Sequence, residues 1–203
     1  FENYSHRTVR KAVSEELNTI KKTVHPHCGT HLVTGCNHIP FDNKHMTSGM
    51  IKLIEDLGDK LKGLHLIGDF LDVNSLSSHD RGRKPLPGVT LSMEYDGGND
   101  YNVLTNWKKD KIRLGNHLDL IHGEFCNIHT AKKHLDSFRG SIMFVHTHRI
   151  QMHIESKVGG FNIGFGGDKD SPVFNYATRA MKEVWANGFA LVDIDEDGFF
   201  HVT

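Results

Sequence analysis

The sequence has no long apolar run, few cysteines and no excess of charge of either sign, and each absence excludes a class of protein. No stretch of about 18 consecutive apolar residues occurs, so no transmembrane helix is predicted. The 24 basic and 25 acidic residues leave a net charge of −1, which excludes a global basic field for nucleic acid or anionic membranes. The three cysteines are irregularly spaced, which argues against a disulfide framework and favours a reducing cytoplasm.

Histidine is what the sequence has in excess. Sixteen are present, and seven of them lie between His117 and His153. Because histidine is the commonest metal ligand and a common general acid or base, this enrichment indicates a metal or hydrolytic site. Hydrophobic residues make up 37% of the 203 residues, which is enough for the packed core of one domain over 1–203.

Apolar spacing divides the chain into alternating helices and strands. Helical spacing predicts helices over 8–24, within an N-terminal helical arm 1–31, and over 46–61 and 129–138. Short apolar runs predict strands at 32–34, 64–67, 111–114, 118–121 and 142–145, with a C-terminal hairpin over 189–202. Residues 74–102 are rich in serine, proline and glycine and predict a long excursion. The alternation favours an α/β fold with a largely parallel core and an antiparallel C-terminal part.

Residues of metal-binding type follow five of the predicted strands. The five segments are Cys36-Asn37-His38, Gly68-Asp69-Phe70-Leu71-Asp72, Gly115-Asn116-His117, His122-Gly123 and His146-Thr147-His148. Each segment alone has a simpler explanation, such as a turn at Gly68 or two histidines on one strand face at 146–148. Because the ends of strands in one sheet converge, the five together predict a single site beyond the carboxyl ends of the strands. Imidazole combined with carboxylate suits Zn, Fe or Mn.

The order of these segments resembles that of the calcineurin-like metallophosphoesterases, which show D-x-H, G-D-x-x-D, G-N-H, H and G-H-x-H. The resemblance runs from about Gly35 to His148, and the stretch from Gly68 to Arg83 is most similar to phage and bacterial members. It implies a four-layer α/β sandwich of two mixed β-sheets flanked by helices. It also implies a dinuclear centre of two divalent transition-metal ions (Mn, Fe or Zn) that activates water.

The resemblance assigns the metal ligands to two groups. The first ion is assigned to His38, Asp69 and His148. Asp69 bridges to the second ion, whose other ligands are Asn116, His122 and His146. A carboxylate suits the bridging position because its two oxygens can bind two ions.

The resemblance also assigns residues to the substrate. His117 protonates the leaving oxygen or stabilises the phosphate, and Asp72 orients His117. Arg81 and Arg83 lie in the long excursion and either meet substrate phosphates or belong to a plain surface loop.

The sequence departs from the family pattern at two informative places. Cys36 stands where the family has aspartate, and it is either a thiolate ligand of the first ion or a small buried residue that faces away. Only four residues separate His117 from His122, whereas a parallel crossover needs roughly a dozen. We therefore expect additional residues between His117 and Leu118. The remaining cysteine in this region, Cys126, is expected to be a small buried residue.

These observations predict a metal-dependent hydrolase of phosphate esters, either a phosphomonoesterase or a phosphodiesterase or nuclease. The alternative is a catalytically silent binding scaffold on the same fold, and Cys36 is the feature that supports it. The expected partner is a phosphate-ester substrate, with nucleic acid and nucleotides among the candidates and no membrane. The expected location is the cytoplasm of a bacterium, or of the host if a phage encodes the protein.

Overall fold

The computed structural model describes residues 22–25, 28–69 and 111–203, and its strands form two mixed sheets. The strands are β1 Lys22–His25, β2 Gly29–Gly35, β3 Leu61–Ile67, β4 Lys111–Leu114, β5 Leu118–Leu120, β6 Ser141–Phe144, β7 Ile150–Glu155, β8 Val158–Ile163, β9 Ala190–Ile194 and β10 Phe200–Val202. The helices are α1 Lys44–Leu57, α2 Thr130–Phe138 and α3 Arg179–Glu183, with 3-10 turns at Gly58–Lys60 and Pro172–Phe174.

The larger sheet has six strands in the order β1-β4-β5-β6-β8-β7, and the smaller has four in the order β10-β9-β2-β3. In the larger sheet β5, β6 and β8 run parallel, while β4 pairs antiparallel with β5 and β7 pairs antiparallel with β8. In the smaller sheet β2 and β3 run parallel, while β9 pairs antiparallel with β2 and β10. The predicted C-terminal hairpin, β9–β10, is confirmed.

The core lies between the two sheets. Leu118 and Met143 of the larger sheet and Val33 and Val192 of the smaller one belong to a single buried cluster. Ile142 and Phe144 alternate with Met143 along β6 and point to the opposite face of the sheet. They form a second buried cluster with Ala131 of α2. Helix α1 connects the parallel strands β2 and β3 as a crossover. Two mixed β-sheets flanked by helices are therefore confirmed as the fold.

Local sequence explains where α1 begins and ends. The side chain of Asn43 accepts a hydrogen bond from the backbone N–H of Met46 at 3.1 Å, which caps the first turn. Gly58 ends the helix with a positive φ of 49°, a conformation that glycine adopts without the cost of a Cβ. The helix predicted over 46–61 therefore stops at Leu57, and β3 begins at Leu61.

The N-terminal arm differs from its prediction where the structure describes it. Lys22–His25 form β1, which pairs parallel with β4, so the end of the helix predicted over 8–24 is a strand. Tertiary pairing overrides the local helical spacing here. The rest of that helix, the excursion 74–102, and Asp72, Arg81 and Arg83 lie outside the described residues. Within the described part of the chain, no helix is long and apolar enough to cross a membrane.

The connection between β4 and β5 is a tight hairpin. Leu114 pairs directly with Leu118, and residues 115–117 form the turn. Antiparallel neighbours can be joined by two or three residues, whereas only parallel ones need a crossover. The prediction of additional residues between His117 and Leu118 assumed a parallel connection, whereas β4 and β5 pair antiparallel and need no crossover. The presence of additional residues here stays a prediction. Ion pairs from Arg113 and Lys111 to Asp119 hold the two strands together.

Candidate metal centre

The carboxyl ends of four strands meet at one edge of the two sheets. In the smaller sheet, hydrogen bonds join the residues that follow β2 to the end of β3. The Cys36 N–H donates to the Ile67 carbonyl at 3.1 Å, and the His38 N–H donates to the Asp69 carbonyl at 3.0 Å. In the larger sheet, the Val145 N–H donates to the His122 carbonyl at 3.0 Å and ties the end of β6 to the end of β5. The convergence predicted from the sequence is confirmed for these four segments.

Two sets of ligand atoms result, each with all its members within 4.8 Å of one another. One set is Cys36, His38 and His148, and the other is Cys36, Asp69 and His122. The residue that both sets share is Cys36, whereas the resemblance gives the shared position to Asp69. Cys36 faces the other ligands, so the alternative in which it faces away is wrong.

The spacing of these atoms fits a transition-metal ion. His38 Nε2 lies 3.4 Å from His148 Nε2, and His122 Nε2 lies 3.4 Å from Asp69 Oδ2. Two ligand atoms on one tetrahedral zinc ion, each about 2.0–2.2 Å from it, are about 3.3–3.6 Å apart. Thiolate, imidazole and carboxylate are also the ligand types that zinc and iron take. The residues present therefore fit a transition metal.

Backbone strain is concentrated at these ligands and at His146 beside them. Cys36, His38, His146 and His148 have φ values of 45°, 53°, 66° and 58°, in the left-handed region. They are four of the six non-glycine residues with positive φ in the described ranges. Each such residue costs about 1–3 kcal/mol, and such costs persist where the surroundings enforce them, often at functional sites. The backbone therefore indicates, independently of the ligand types, that this edge is a site.

Aromatic side chains enclose His148. Its ring stacks on Phe165 with the ring centres 4.4 Å apart and meets Trp185 edge-on at 4.5 Å. Burial, followed by the nearby charge of His38, lowers the pKa of His148 well below the usual value for histidine. The imidazole is therefore neutral at pH 7, which is the form that binds a metal.

Asp69 and Cys36 respond differently to this environment. Burial raises the pKa of the Asp69 carboxyl, but the hydrogen bond from His122 and the charges of His122, His38 and His146 outweigh it and hold that pKa far below its usual range. Burial raises the pKa of the Cys36 thiol, and the hydrogen bond with His38 opposes this only in part. A cation at this site would therefore meet a ready carboxylate and would displace a proton from sulfur.

Gly68 is necessary for the close packing of the site. Its φ is 80°, and a Cβ added there would lie 2.6 Å from side-chain atoms of His122 and Val145 and 2.9 Å from Cys36 Sγ. A larger residue would therefore push apart two of the candidate ligands.

Asn116 and His117 lie at the opposite edge of the sheets, and their predicted place in the site is corrected here. The Asn116 side chain donates to the Asp197 carbonyl at 2.9 Å, and the exposed His117 ring stacks on Phe199 with centres 4.6 Å apart. The reason is the direction of β4, which runs antiparallel to β5. Its carboxyl end therefore lies beside the amino ends of β5 and β6, away from His122.

His146 lies next to the two ligand sets without belonging to either. Its ring meets the His122 ring edge-on at 4.6 Å, and its backbone N–H donates to Cys36 Sγ at 3.4 Å. Its Nε2 atom is 3.1 Å from Cys126 Sγ. Cys126 is exposed, so the prediction that it is a small buried residue is wrong. Cys126 lies four residues after His122 in the sequence, and this short spacing could have indicated that it lies near the candidate ligands.

His134 is a second residue that the sequence analysis missed, and it holds the loop that carries His122 and Cys126. It is fully buried, and its Nδ1–H donates to the Thr130 carbonyl at 2.8 Å, which leaves Nε2 to accept from the Glu124 N–H at 2.9 Å. Burial lowers the pKa of His134, in agreement with the neutral ring that these bonds require. Its position on the buried face of a predicted helix resembles that of any core residue, so the sequence does not reveal this role.

Comparisons with known proteins identify similar structures. No protein-family profile and no curated sequence matches the chain. Among solved structures, vacuolar protein sorting 29 from Cryptosporidium parvum is 14% identical with a TM-score of 0.47, and the match covers 87% of this chain and 96% of that one. Vps29 from Chaetomium thermophilum is 13% identical with a TM-score of 0.42, covering 86% and 93%. Similarity this low assigns no function to the chain.

Proposed function

We propose that this chain is a metal-binding scaffold on the metallophosphoesterase-type fold and does not hydrolyse phosphate esters. The observation that carries the proposal is the separation of the family's site residues between two edges. Cys36, His38 and His148 gather at one edge, whereas Asn116 and His117 lie at the other.

The separation removes two of the groups that the resemblance assigns to phosphoester hydrolysis, one metal ligand and the proton donor. Two divalent ions, when bound, supply charge neutralisation and an activated water. The resemblance assigns a ligand of the second ion to Asn116 and the proton for the leaving oxygen to His117. With both residues held against the turn at 195–198 and Phe199, neither group reaches a substrate at the ligand cluster.

A second candidate function is metal-dependent hydrolysis of a phosphate monoester or diester, including nucleotides and nucleic acid. The contact between Asp69 and His122, with His146 beside it, favours this candidate. These residues would hold an ion at the edge where substrates bind in folds of this type. A neighbouring histidine could then transfer a proton to the leaving group.

The two candidates are separated by measuring metal content and hydrolysis on the same protein. The chain is loaded with Zn²⁺ or Mn²⁺, analysed for bound metal and assayed with p-nitrophenyl phosphate and bis-p-nitrophenyl phosphate. We expect bound metal and no turnover above that of the His122→Ala variant. Turnover that His122→Ala abolishes would establish the hydrolase instead, and absence of bound metal under both loading conditions would refute both candidates.

A further inference from the structure

We propose that the Cys36 thiolate bridges two transition-metal ions. The proposal rests on the metal binding proposed above and adds the number of ions and the atom that joins them. Its starting point is that Cys36 is the member common to both ligand sets. His38 and His148 lie with Cys36 in one set, and Asp69 and His122 lie with it in the other.

The chemistry of the five side chains makes sulfur the bridging atom. An imidazole nitrogen has a single lone pair and binds a single ion. A thiolate sulfur has lone pairs in several directions and can bind two. The Asp69 carboxylate could also bridge, but its oxygens are not part of the set formed with His38 and His148. Each ion would then have three protein ligands, which leaves a tetrahedral ion one open position.

The protein holds the Cys36 sulfur in place between the two sets. Cys36 is fully buried and has a φ of 45°, and its own N–H is bound to the Ile67 carbonyl. The sulfur accepts a hydrogen bond from the backbone N–H of His146 at 3.4 Å, and Gly68 lies against it where no Cβ would fit. A side chain confined in this way can bind ions without a change in its own conformation.

A sulfur bridge should also change which metal the site prefers. A carboxylate bridge suits Mn²⁺ and Mg²⁺, whereas thiolate is a soft ligand that selects zinc, iron and cobalt over them. We therefore expect the chain to bind Co²⁺ and Zn²⁺ in preference to Mn²⁺. Cys36→Asp should narrow that preference while still holding two ions.

The experiment is a titration of the metal-free chain with Co²⁺, with bound cobalt, near-ultraviolet absorption and electron paramagnetic resonance recorded at each step. We expect about two ions per chain, a sulfur-to-cobalt charge-transfer band that grows over both equivalents, and magnetic coupling between the ions. Cys36→Ala should lower the affinity for both ions by more than about 100-fold, beyond what loss of an outer-shell partner costs. Cys28→Ala removes an exposed cysteine and is the matched control, which should retain both ions and the band.

Different results overturn different parts of the argument. A band that stops growing after the first equivalent, or a Cys36→Ala chain that keeps one ion at unchanged affinity, would show that sulfur binds one ion only. Either result would refute the bridge and leave the metal-binding scaffold intact. A wild-type chain that binds no cobalt and no zinc would refute the scaffold as well. If Cys36→Ala does not fold, Cys36→Asp decides. Two bound ions with the band lost from both equivalents support the bridge, and two ions with the band kept on either equivalent refute it.

Discussion

The two edges of the sheets carry similar residues and do different things. At one edge, Cys36, His38 and His148 have left-handed backbone conformations and ligand atoms within 4.8 Å of one another. At the other, Asn116 has its side chain bound to the turn at 195–198, and His117 stacks on Phe199 in solvent. Both edges carry side chains of metal-binding type. The difference is that the first edge buries its cysteine and histidine side chains and holds them close together.

The comparison shows that the direction of a strand decides what its terminal residues can do. β5 and β6 run parallel, so the residues that follow them share an edge. β4 runs antiparallel to β5, so Asn116 and His117, which follow β4, lie at the opposite edge. A motif read from sequence indicates a chemistry, and it indicates a site only together with the topology.

The comparison is tested most strongly by removing one histidine at each edge. His148→Ala should lower the affinity for zinc by more than about 100-fold, because it removes a ligand and not merely an outer-shell partner. His117→Ala should leave the affinity unchanged. Isothermal titration of both variants with Zn²⁺ measures this, and equal losses in the two would show that His117 belongs to the site after all.

A second test compares two glycines that differ in their surroundings. Gly68→Ala should destabilise the fold by about 2–3 kcal/mol and weaken zinc binding, because its Cβ would press on His122, Val145 and Cys36 at a φ of 80°. Gly49 lies in α1 with nothing within 4 Å of an added Cβ, so Gly49→Ala should be stabilising by about 0.5–1 kcal/mol. Urea unfolding of both variants measures the change. A neutral Gly68→Ala would mean that the ligands are packed less tightly than described.

The smallest expected loss of stability concerns the hairpin that carries Asn116 away from the site. Asp119 accepts hydrogen bonds from Arg113 and Lys111, and we expect Asp119→Asn to destabilise the fold by about 1–2 kcal/mol at pH 7. Burial raises the pKa of Asp119, but these two bonds and the two positive charges outweigh it and lower that pKa overall.

The sign of the pH dependence follows from that lowered pKa. The stabilisation from Asp119 is complete above the unfolded value of about 3.9 and is lost as the pH falls through the lower folded value. The stability difference between wild type and Asp119→Asn, measured by urea unfolding, should therefore be largest near pH 7 and shrink below about pH 4. A difference that stays constant down to pH 3 would show that the hairpin does not depend on the charge of Asp119.

Much of the fold could be predicted from apolar spacing, and the failures have a physical cause. The strand that ends before Cys36, the strand that ends before Gly68 and the C-terminal hairpin were all predicted, because buried runs between glycines are strong signals. The hairpin of β7 and β8 was not predicted, although the alternation of Ile150, Met152 and Ile154 is typical of a strand. β1 was assigned to a helix because it continues the helical spacing of the residues before it. Its pairing with β4 joins residues far apart in the chain, which local spacing does not show.

The sequence by itself determined the chemistry of this protein: histidine, cysteine and carboxylate side chains that follow short buried strands, suited to a transition metal. Only the tertiary structure decided which of them meet. Pairing direction brought Cys36, His38, Asp69, His122 and His148 to one edge and sent Asn116 and His117 to the other. Strand direction depends on long-range hydrogen bonding and on the packing of two sheets, neither of which is encoded in the spacing of a local motif. Cys36 belongs to both ligand sets because the two sheets meet at this edge, and no sequence pattern within a single strand predicts this.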